Sequence, residues 1–180
     1  EWIFHRELIQ YIRNLFPESV IVAGGEHISA LPEYCLNSCP ELDFCIVGEG
    51  EEVFVKLLDV LEKGGNPKDT PGLACRFHNN DTLLSTPRAD RIKDIDKIPW
   101  PAWDLMPMEN YLSRELNYHI KRGPTMPMLE TRGCPYQCTF CSNSNIWGNR
   151  WIARYPILVV NEMEYYIKKY TADNFVFSDV

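Results

Sequence analysis

Two short apolar runs that end in glycine turns constrain the fold of this chain more than any other feature. Ser19-Val20-Ile21-Val22-Ala23 leads into Gly24-Gly25, and Phe44-Cys45-Ile46-Val47 leads into Gly48-Glu49-Gly50. Runs that are rich in β-branched residues and are followed by glycine are typical of buried strands that enter tight turns. Amphipathic segments flank both runs, so the element order is helix, strand, helix, strand, helix. This order predicts a parallel sheet that is covered on both faces.

The flanking segments have the periodicity and the end signals of helices. Residues 2–16 repeat apolar side chains every three or four positions and stop at Pro17, which breaks a helix. Residues 29–39 predict a second helix. Residues 51–63 predict a third, because acidic residues begin it and a glycine pair follows its end. Two strands are too few for an independent doubly wound domain, so we expect further strands upstream of Glu1.

The later part of the chain predicts a hairpin, a linker and a second α/β region. The hairpin is expected at residues 73–85. A strand at 126–131, an apolar helical stripe that ends at Tyr170 and a strand at 174–177 together form one βαβ unit, which also needs neighbouring strands. The sequence thus predicts a first domain at 1–85, a proline-rich linker at 86–124 and a second domain at 125–180.

Composition and charge limit the functions open to this chain. Apolar residues make up 45% of the 180 and charged residues 24%, which excludes disordered, collagen-like and coiled-coil folds. No window is long and apolar enough for a membrane span. The 18 basic and 25 acidic side chains give a formal net charge of −7, which disfavours sequence-independent binding to nucleic acid. We therefore expect small molecules or proteins as partners.

The cysteines are the most informative residues for function. Seven cysteines, with no secretory signal at the start of the chain, favour a reducing, cytoplasmic compartment over a disulfide framework. Cys134, Cys138 and Cys141 have the spacing C-x3-C-x2-C, directly after a predicted strand. Three thiolates on one short loop can bind a single ion or cluster. Structural zinc sites and ferredoxin loops supply four ligands, whereas three ligands on a four-iron cube leave one iron open for a substrate or cofactor.

This loop resembles the radical S-adenosylmethionine (SAM) enzymes, whose motif is C-x3-C-x-aromatic-C after the first strand of a partial (β/α)6 barrel. Phe140 supplies the aromatic residue. The resemblance implies that Cys134, Cys138 and Cys141 bind a [4Fe-4S] cluster, that SAM chelates the fourth iron, and that Phe140 packs near the adenine. It also implies that the reduced cluster cleaves SAM to methionine and a 5′-deoxyadenosyl radical, with an electron donor such as flavodoxin or ferredoxin.

The first half of the chain is similar to the subgroup of that family with an N-terminal cobalamin-binding-type domain. The resemblance implies that Gly24 and Gly25 let the backbone approach the nucleotide tail of cobalamin. The Asp-x-His-x-x-Gly segment that can ligate cobalt is absent from the chain. The segments with this resemblance are residues 20–27, 30–33, 47–51 and 98–104.

Together these resemblances imply an α/β chain with two parts. A partial Rossmann-like, cobalamin-binding-type parallel sheet is followed by the first βαβ unit of the radical SAM barrel. The parent is expected to be a radical SAM oxidoreductase or transferase that acts on a small-molecule or macromolecular substrate. The chain itself is expected to be a fragment truncated at both ends and inactive alone.

Two alternatives remain open beside this interpretation. A non-catalytic zinc module could hold its metal with the three cysteines and a remote ligand such as His119. A scaffold unit without a bound metal is the other alternative.

Weaker signals have structural interpretations as well as functional ones. Residues 48–53, GEGEEV, resemble the start of a dinucleotide fingerprint, but the acids would repel a pyrophosphate, so a turn and an acidic first helical turn are favoured. His27 is interpreted as a structural histidine. Asp179 ends a strand at the edge where barrel sites form, so a functional role is considered beside a structural one.

The remaining cysteines and two tryptophans are interpreted as packing residues. Trp100 and Trp103 are expected to attach the linker to the domains. The other four cysteines are expected to be buried as small apolar residues rather than to form a second cluster: Cys35, Cys39, Cys45 and Cys75.

Overall fold

The computed structural model describes residues 2–76, 83–114 and 123–179. The chain divides into two compact units, which are described separately. The first comprises Glu1–Ile92 and Tyr136–Gly148, and the second comprises Lys93–Pro135 and Asn149–Val180. None of the helices within the described ranges has the length and apolar character needed to cross a membrane.

The first unit is built on a four-stranded sheet with the order β1-β2-β3-β4. Strands β1 and β2 are parallel, whereas β3 and β4 form the predicted antiparallel hairpin; its turn, residues 77–82, lies outside the described residues. The helices and strands of this unit are α1 (Trp2–Leu15), β1 (Val22–Ala23), α2 (Glu26–Ala30), α3 (Pro32–Ser38), β2 (Phe44–Ile46), α4 (Glu51–Glu62), β3 (Leu73–Arg76), β4 (Leu83–Ser85) and α6 (Asn143–Ile146).

Both faces of this sheet are covered, as the sequence predicts. Neighbouring residues on a strand point to opposite faces. Cys45 accordingly packs into one buried cluster with Leu36 of α3, while Ile46 packs into another with Leu57 of α4. The helix predicted at residues 29–39 is divided into α2 and α3, because Pro32 begins a new helix at its first position.

Helix α1 turns a different face to the core than its apolar stripe suggests. Ile3, Phe4, Leu8, Tyr11 and Leu15 are exposed, whereas Ile9 is buried. The reason lies one turn beyond Ile9, on the same face of the helix. There the Arg13 guanidinium forms an ion pair of 2.6 Å with Asp43 and donates to the carbonyl oxygens of Pro17 and Ser19. These contacts hold that face against the sheet.

The second unit contains the predicted βαβ arrangement. Strands β5 and β8 are parallel neighbours, and the long helix α7 connects them; β6 and β7 form a separate antiparallel pair. The segment expected to be a proline-rich linker contains helix α5, and Met108 and Leu112 of this helix enter the core of the unit. The elements are α5 (Met108–Ser113), β5 (Thr125–Met128), β6 (Thr131–Arg132), β7 (Ile152–Ala153), α7 (Pro156–Tyr170) and β8 (Asn174–Phe177).

The buried thiol of Cys45 should make the first unit less stable as the pH rises into the alkaline range. Burial, with the nearby thiols of Cys35, Cys39 and Cys75, raises its pKa to about 12. Because folding raises this pKa, the thiol's contribution to stability is complete below about pH 9 and is lost as the pH rises towards 12. Between about pH 8 and about pH 10.5 the wild-type chain should lose about 2 kcal/mol more unfolding free energy than Cys45→Ala. Urea unfolding at both pH values measures this difference, and equal losses in the two proteins would contradict it.

Candidate functional site

The start of the cysteine loop is fixed at the carboxyl ends of two parallel strands. Glu130 follows β5 and Asp179 follows β8, and these strands pair in parallel. One carboxylate oxygen of Asp179 accepts hydrogen bonds from the backbone N–H groups of Glu130 and Thr131, both at 2.8 Å. A single side chain therefore holds the backbone at the point where the strand passes into the loop.

The Glu130 carboxyl group is protonated more readily than an ordinary glutamate. Partial burial raises its pKa, and a hydrogen bond and charge repulsion from Asp179 raise it further, while Arg154 lowers it. Sequence reasoning singled out Asp179 but missed Glu130, whose only signal was its place at a strand end.

Cys134 follows the short strand β6 through a glycine turn. Arg132 in β6 pairs with Ile152 in β7, and Gly133 then adopts a φ of +85°, which favours glycine. This turn leaves the Cys134 thiol half-buried in the second unit.

Cys138 and Cys141 lie in the first unit, and both thiols are free and exposed. A backbone hydrogen bond of 3.1 Å from the Cys141 N–H to the Cys138 carbonyl oxygen closes a turn between them. Phe140 is 91% exposed, so its ring is open to a ligand. After the turn, the Ser142 hydroxyl donates to the carboxylate of Glu26.

The donor set suits an iron–sulfur cluster even though the thiols are not gathered into one group. Within the described residues, no three histidine, cysteine or carboxylate side chains are close enough to hold a metal ion. Three free thiols within eight residues nevertheless supply the soft thiolate ligands that iron clusters use, and none is sealed in a core. His119, the ligand considered for a zinc module, lies outside the described residues.

A cavity of about 490 Å³ opens beside the glycine turns of the first unit, at the carboxyl ends of β1 and β2. Both glycines predicted to approach a cofactor, Gly24 and Gly25, line it. Gly25 has a φ of +96°, and a methyl group in place of its hydrogen would meet no atom within 4 Å. Glycine is therefore needed there for the backbone angle rather than for space. A volume of this size suits a small molecule or part of a larger cofactor.

The acidic turn after β2 is structural, as the sequence analysis favoured. The buried Glu49 carboxylate accepts from the Arg91 guanidinium at 2.8 Å and from the Ile92 N–H at 2.9 Å. Gly48 has a φ of +93°, and its N–H donates to the Ser29 hydroxyl at 3.0 Å. These contacts fix the turn.

The other candidate residues have packing roles. The His27 ring stacks against Trp2 at 5.4 Å. The Trp103 indole N–H donates to the Tyr166 hydroxyl at 3.0 Å, and Trp100 contacts Tyr165, so both tryptophans attach the proline-rich segment to α7. The four remaining cysteines are free and buried, as predicted: Cys35, Cys39, Cys45 and Cys75.

Sequence reasoning missed three residues at or beside the cavity. Ile146 and Trp147 line it, and Arg88 donates to the carbonyl oxygens of Asn145 and Ile146. No periodicity or spacing marks these residues, because Arg88 is far from the other two in the sequence and the helix that ends at Ile146 has only 4 residues.

Sequence comparison finds several relatives of the chain, although no protein-family model matches it. The chain is 33% identical over 162 residues to an uncharacterized methyltransferase of Pyrococcus horikoshii, covering 87% of this chain and 33% of the relative. It is 30% identical to an anaerobic magnesium-protoporphyrin IX monomethyl ester cyclase of Cereibacter sphaeroides, and the match covers 96% of this chain and 27% of the cyclase. It is 29% identical to the cobalamin-dependent radical SAM methyltransferase TokK of Streptomyces tokunonensis, with coverages of 82% and 21%.

The chain is a homologue of cobalamin-dependent radical SAM enzymes. Its fold agrees with that of a solved radical SAM methyltransferase, TsrM from Kitasatospora setae, in a structure with cobalamin and a [4Fe-4S] cluster bound. The TM-score is 0.69 at 21% identity, and the match covers 97% of this chain and 33% of TsrM. The chain spans between about a fifth and a third of the length of the curated relatives it matches.

Asp179 should stabilise the start of the cysteine loop. Asp179→Ala leaves two backbone N–H groups without their acceptor, which should lower the unfolding free energy by about 1–3 kcal/mol. Asp179→Asn keeps an acceptor oxygen at the same place and should lose less. Urea unfolding gives the energies, and amide hydrogen exchange at Glu130 and Thr131 should accelerate in the alanine variant. Unchanged exchange at these two amides would show that Asp179 does not hold them.

Proposed function

We propose that this chain provides the [4Fe-4S] cluster and SAM site of a radical SAM enzyme, with Cys134, Cys138 and Cys141 as the cluster ligands. The position of these three free thiols carries the proposal. They lie on one loop that follows the short strand β6, and Asp179, at the end of β8, holds the backbone where β5 passes into β6. The similarity to TokK and to TsrM, which are both radical SAM methyltransferases, supports it.

Each residue of the loop has a separate task in this proposal. The three thiolates would hold the cluster, and three protein ligands would leave one of its four irons for SAM. The reduced cluster would supply the one electron that cleaves SAM to methionine and a 5′-deoxyadenosyl radical. The exposed ring of Phe140 offers an aromatic face on which adenine can stack. The left-handed turn at Gly133 directs Cys134 out of β6.

The cavity of the first unit is the proposed site for part of a cobalamin. Gly24 and Gly25 present bare backbone to it, which lets a ligand approach closely. Glu49 is paired with Arg91, so its charge is balanced beside an anionic nucleotide tail. The TsrM structure, which contains cobalamin, supports this assignment.

The proposed chemistry implies a protein partner and a compartment. Reductive cleavage needs one electron from outside, and a donor such as flavodoxin or ferredoxin is proposed to supply it. The exposed thiols of Cys138 and Cys141 would keep the cluster near the surface, where a donor can approach. Exposed thiols persist in a reducing environment, so we propose a cytoplasmic location.

Anaerobic reconstitution with iron and sulfide tests the cluster ligands. The wild-type chain should bind about four irons and, once reduced, give an EPR signal that changes when SAM is added. A variant with Cys134→Ala, Cys138→Ala and Cys141→Ala should bind no stoichiometric iron, since all three thiolates are gone. Cys75→Ala, which removes a buried thiol, is the matched control and should retain the cluster.

Two outcomes would overturn this assignment. One is a triple variant that keeps the four-iron cluster. The other is a colourless wild-type chain that holds one zinc and no iron after anaerobic preparation, which would favour the zinc module.

The role of Phe140 can be tested separately. Stacking of a base on an aromatic ring contributes about 1–3 kcal/mol, so Phe140→Ala should raise the Kd for SAM by roughly tenfold in the reconstituted protein. Tyr136, which is 75% exposed in the same loop, provides the control, and Tyr136→Ala should leave the Kd unchanged. Equilibrium dialysis with labelled SAM measures both values. Equal affinities in the two variants would remove Phe140 from the SAM site.

A further inference from the structure

The segment that follows the third cysteine forms one wall of the cavity in the first unit. Ile146 and Trp147 line the cavity together with the glycine turns. Helix α6, which ends at Ile146, packs against α2, and the residue before α6, Ser142, donates to Glu26 at the start of α2. Cys141 directly precedes Ser142. A short, well-fixed stretch of chain thus links the third cysteine to the cavity.

Arg88 is the side chain that holds this wall in place. Its Nη2 donates to the carbonyl oxygen of Asn145 at 2.5 Å and to that of Ile146 at 2.7 Å. Hydrogen bonds from a charged donor are stronger than neutral ones. The guanidinium also lies against the turn after β2, because a methyl group built on Gly48 would be 3.5 Å from Arg88 and 3.7 Å from the Ile146 oxygen. Arg88 therefore bonds to the wall, and both lie close to the glycine turn.

We propose that Arg88 is a positioning residue that couples the cavity to Cys141. Arg88 holds residues 145–147 in place as one wall of the cavity. A corrinoid that binds against this wall would therefore reduce the motion of the neighbouring backbone around Cys141. The inference rests on the proposed function, since the corrinoid is the cobalamin assigned to this cavity. A ligand that contacts Ile146 and Trp147 binds best when the wall is ordered. Binding and order around Cys141 should therefore favour each other.

The test compares ligand binding with thiol accessibility in the cluster-free chain. Cyanocobalamin is the probe, because its cobalt already carries a tightly held ligand. Calorimetric titration gives its Kd, and mass spectrometry gives the rate at which iodoacetamide alkylates Cys141 with and without saturating cyanocobalamin. Arg88→Met removes both hydrogen bonds but keeps the length of the side chain. Lys56→Met, an exposed position on α4 away from the cavity lining, is the matched control.

In the wild-type chain, cyanocobalamin should slow the alkylation of Cys141 by roughly tenfold. In Arg88→Met the Kd should rise by roughly tenfold, as expected for lost charged hydrogen bonds, and the protection of Cys141 at saturation should largely disappear. Arg88→Lys, which keeps the charge but not the planar donor, should fall between the two. Lys56→Met should behave as the wild type. Thermal unfolding of each variant checks that it is folded.

Two results overturn the proposal in distinguishable ways. If the wild type binds cyanocobalamin and Arg88→Met matches it in both Kd and protection of Cys141, Arg88 does not couple the cavity to the loop, while the cobalamin site stands. If the wild type binds no cyanocobalamin, the cobalamin site and this coupling fail together, and the cluster assignment is judged by its own reconstitution test.

Discussion

The left-handed backbone at Gly48 is the constraint on which the first unit depends. A side chain at a φ of +93° would be strained, so glycine alone makes this turn without cost. With the turn in place, the Gly48 N–H reaches Ser29 and the Glu49 carboxylate reaches Arg91. The same turn leaves room beside β1 and β2 for the cavity. The Gly48–Ser29 hydrogen bond, the Glu49–Arg91 ion pair and the cavity therefore all depend on the backbone angle at Gly48.

In the second unit a carboxylate, rather than a glycine, fixes the backbone where a strand ends. When a strand ends, its N–H groups lose their partners in the sheet, and unpaired groups are costly if they are buried. Asp179 supplies the acceptor for two of them at the end of β5. Because Asp179 itself follows the neighbouring strand, the pairing of β5 with β8 brings this acceptor to the segment that leads through β6 to the cysteine loop.

The sequence predicted the elements with strong local signals and missed those that depend on distant contacts. The parallel pairing of β1 with β2 and the βαβ unit around α7 followed from periodicity, and the buried state of Cys45 followed from its place in an apolar run. The inward face of α1 did not, because Arg13 sets it through Asp43, thirty positions later. The cysteine triad was visible as a spacing. The cavity wall at Trp147 was not, since its support comes from Arg88 through backbone oxygens, which any residue type provides.

Four of the seven thiols are buried and three are accessible, and this difference determines which of them can react. Burial holds the pKa of Cys39 near 11 and that of Cys45 near 12, so these sulfurs stay protonated and unreactive at physiological pH. Oxidation, which attacks thiolates, is therefore disfavoured at the buried thiols. The same burial keeps iron from binding to them, because the thiolate rather than the thiol is the metal ligand.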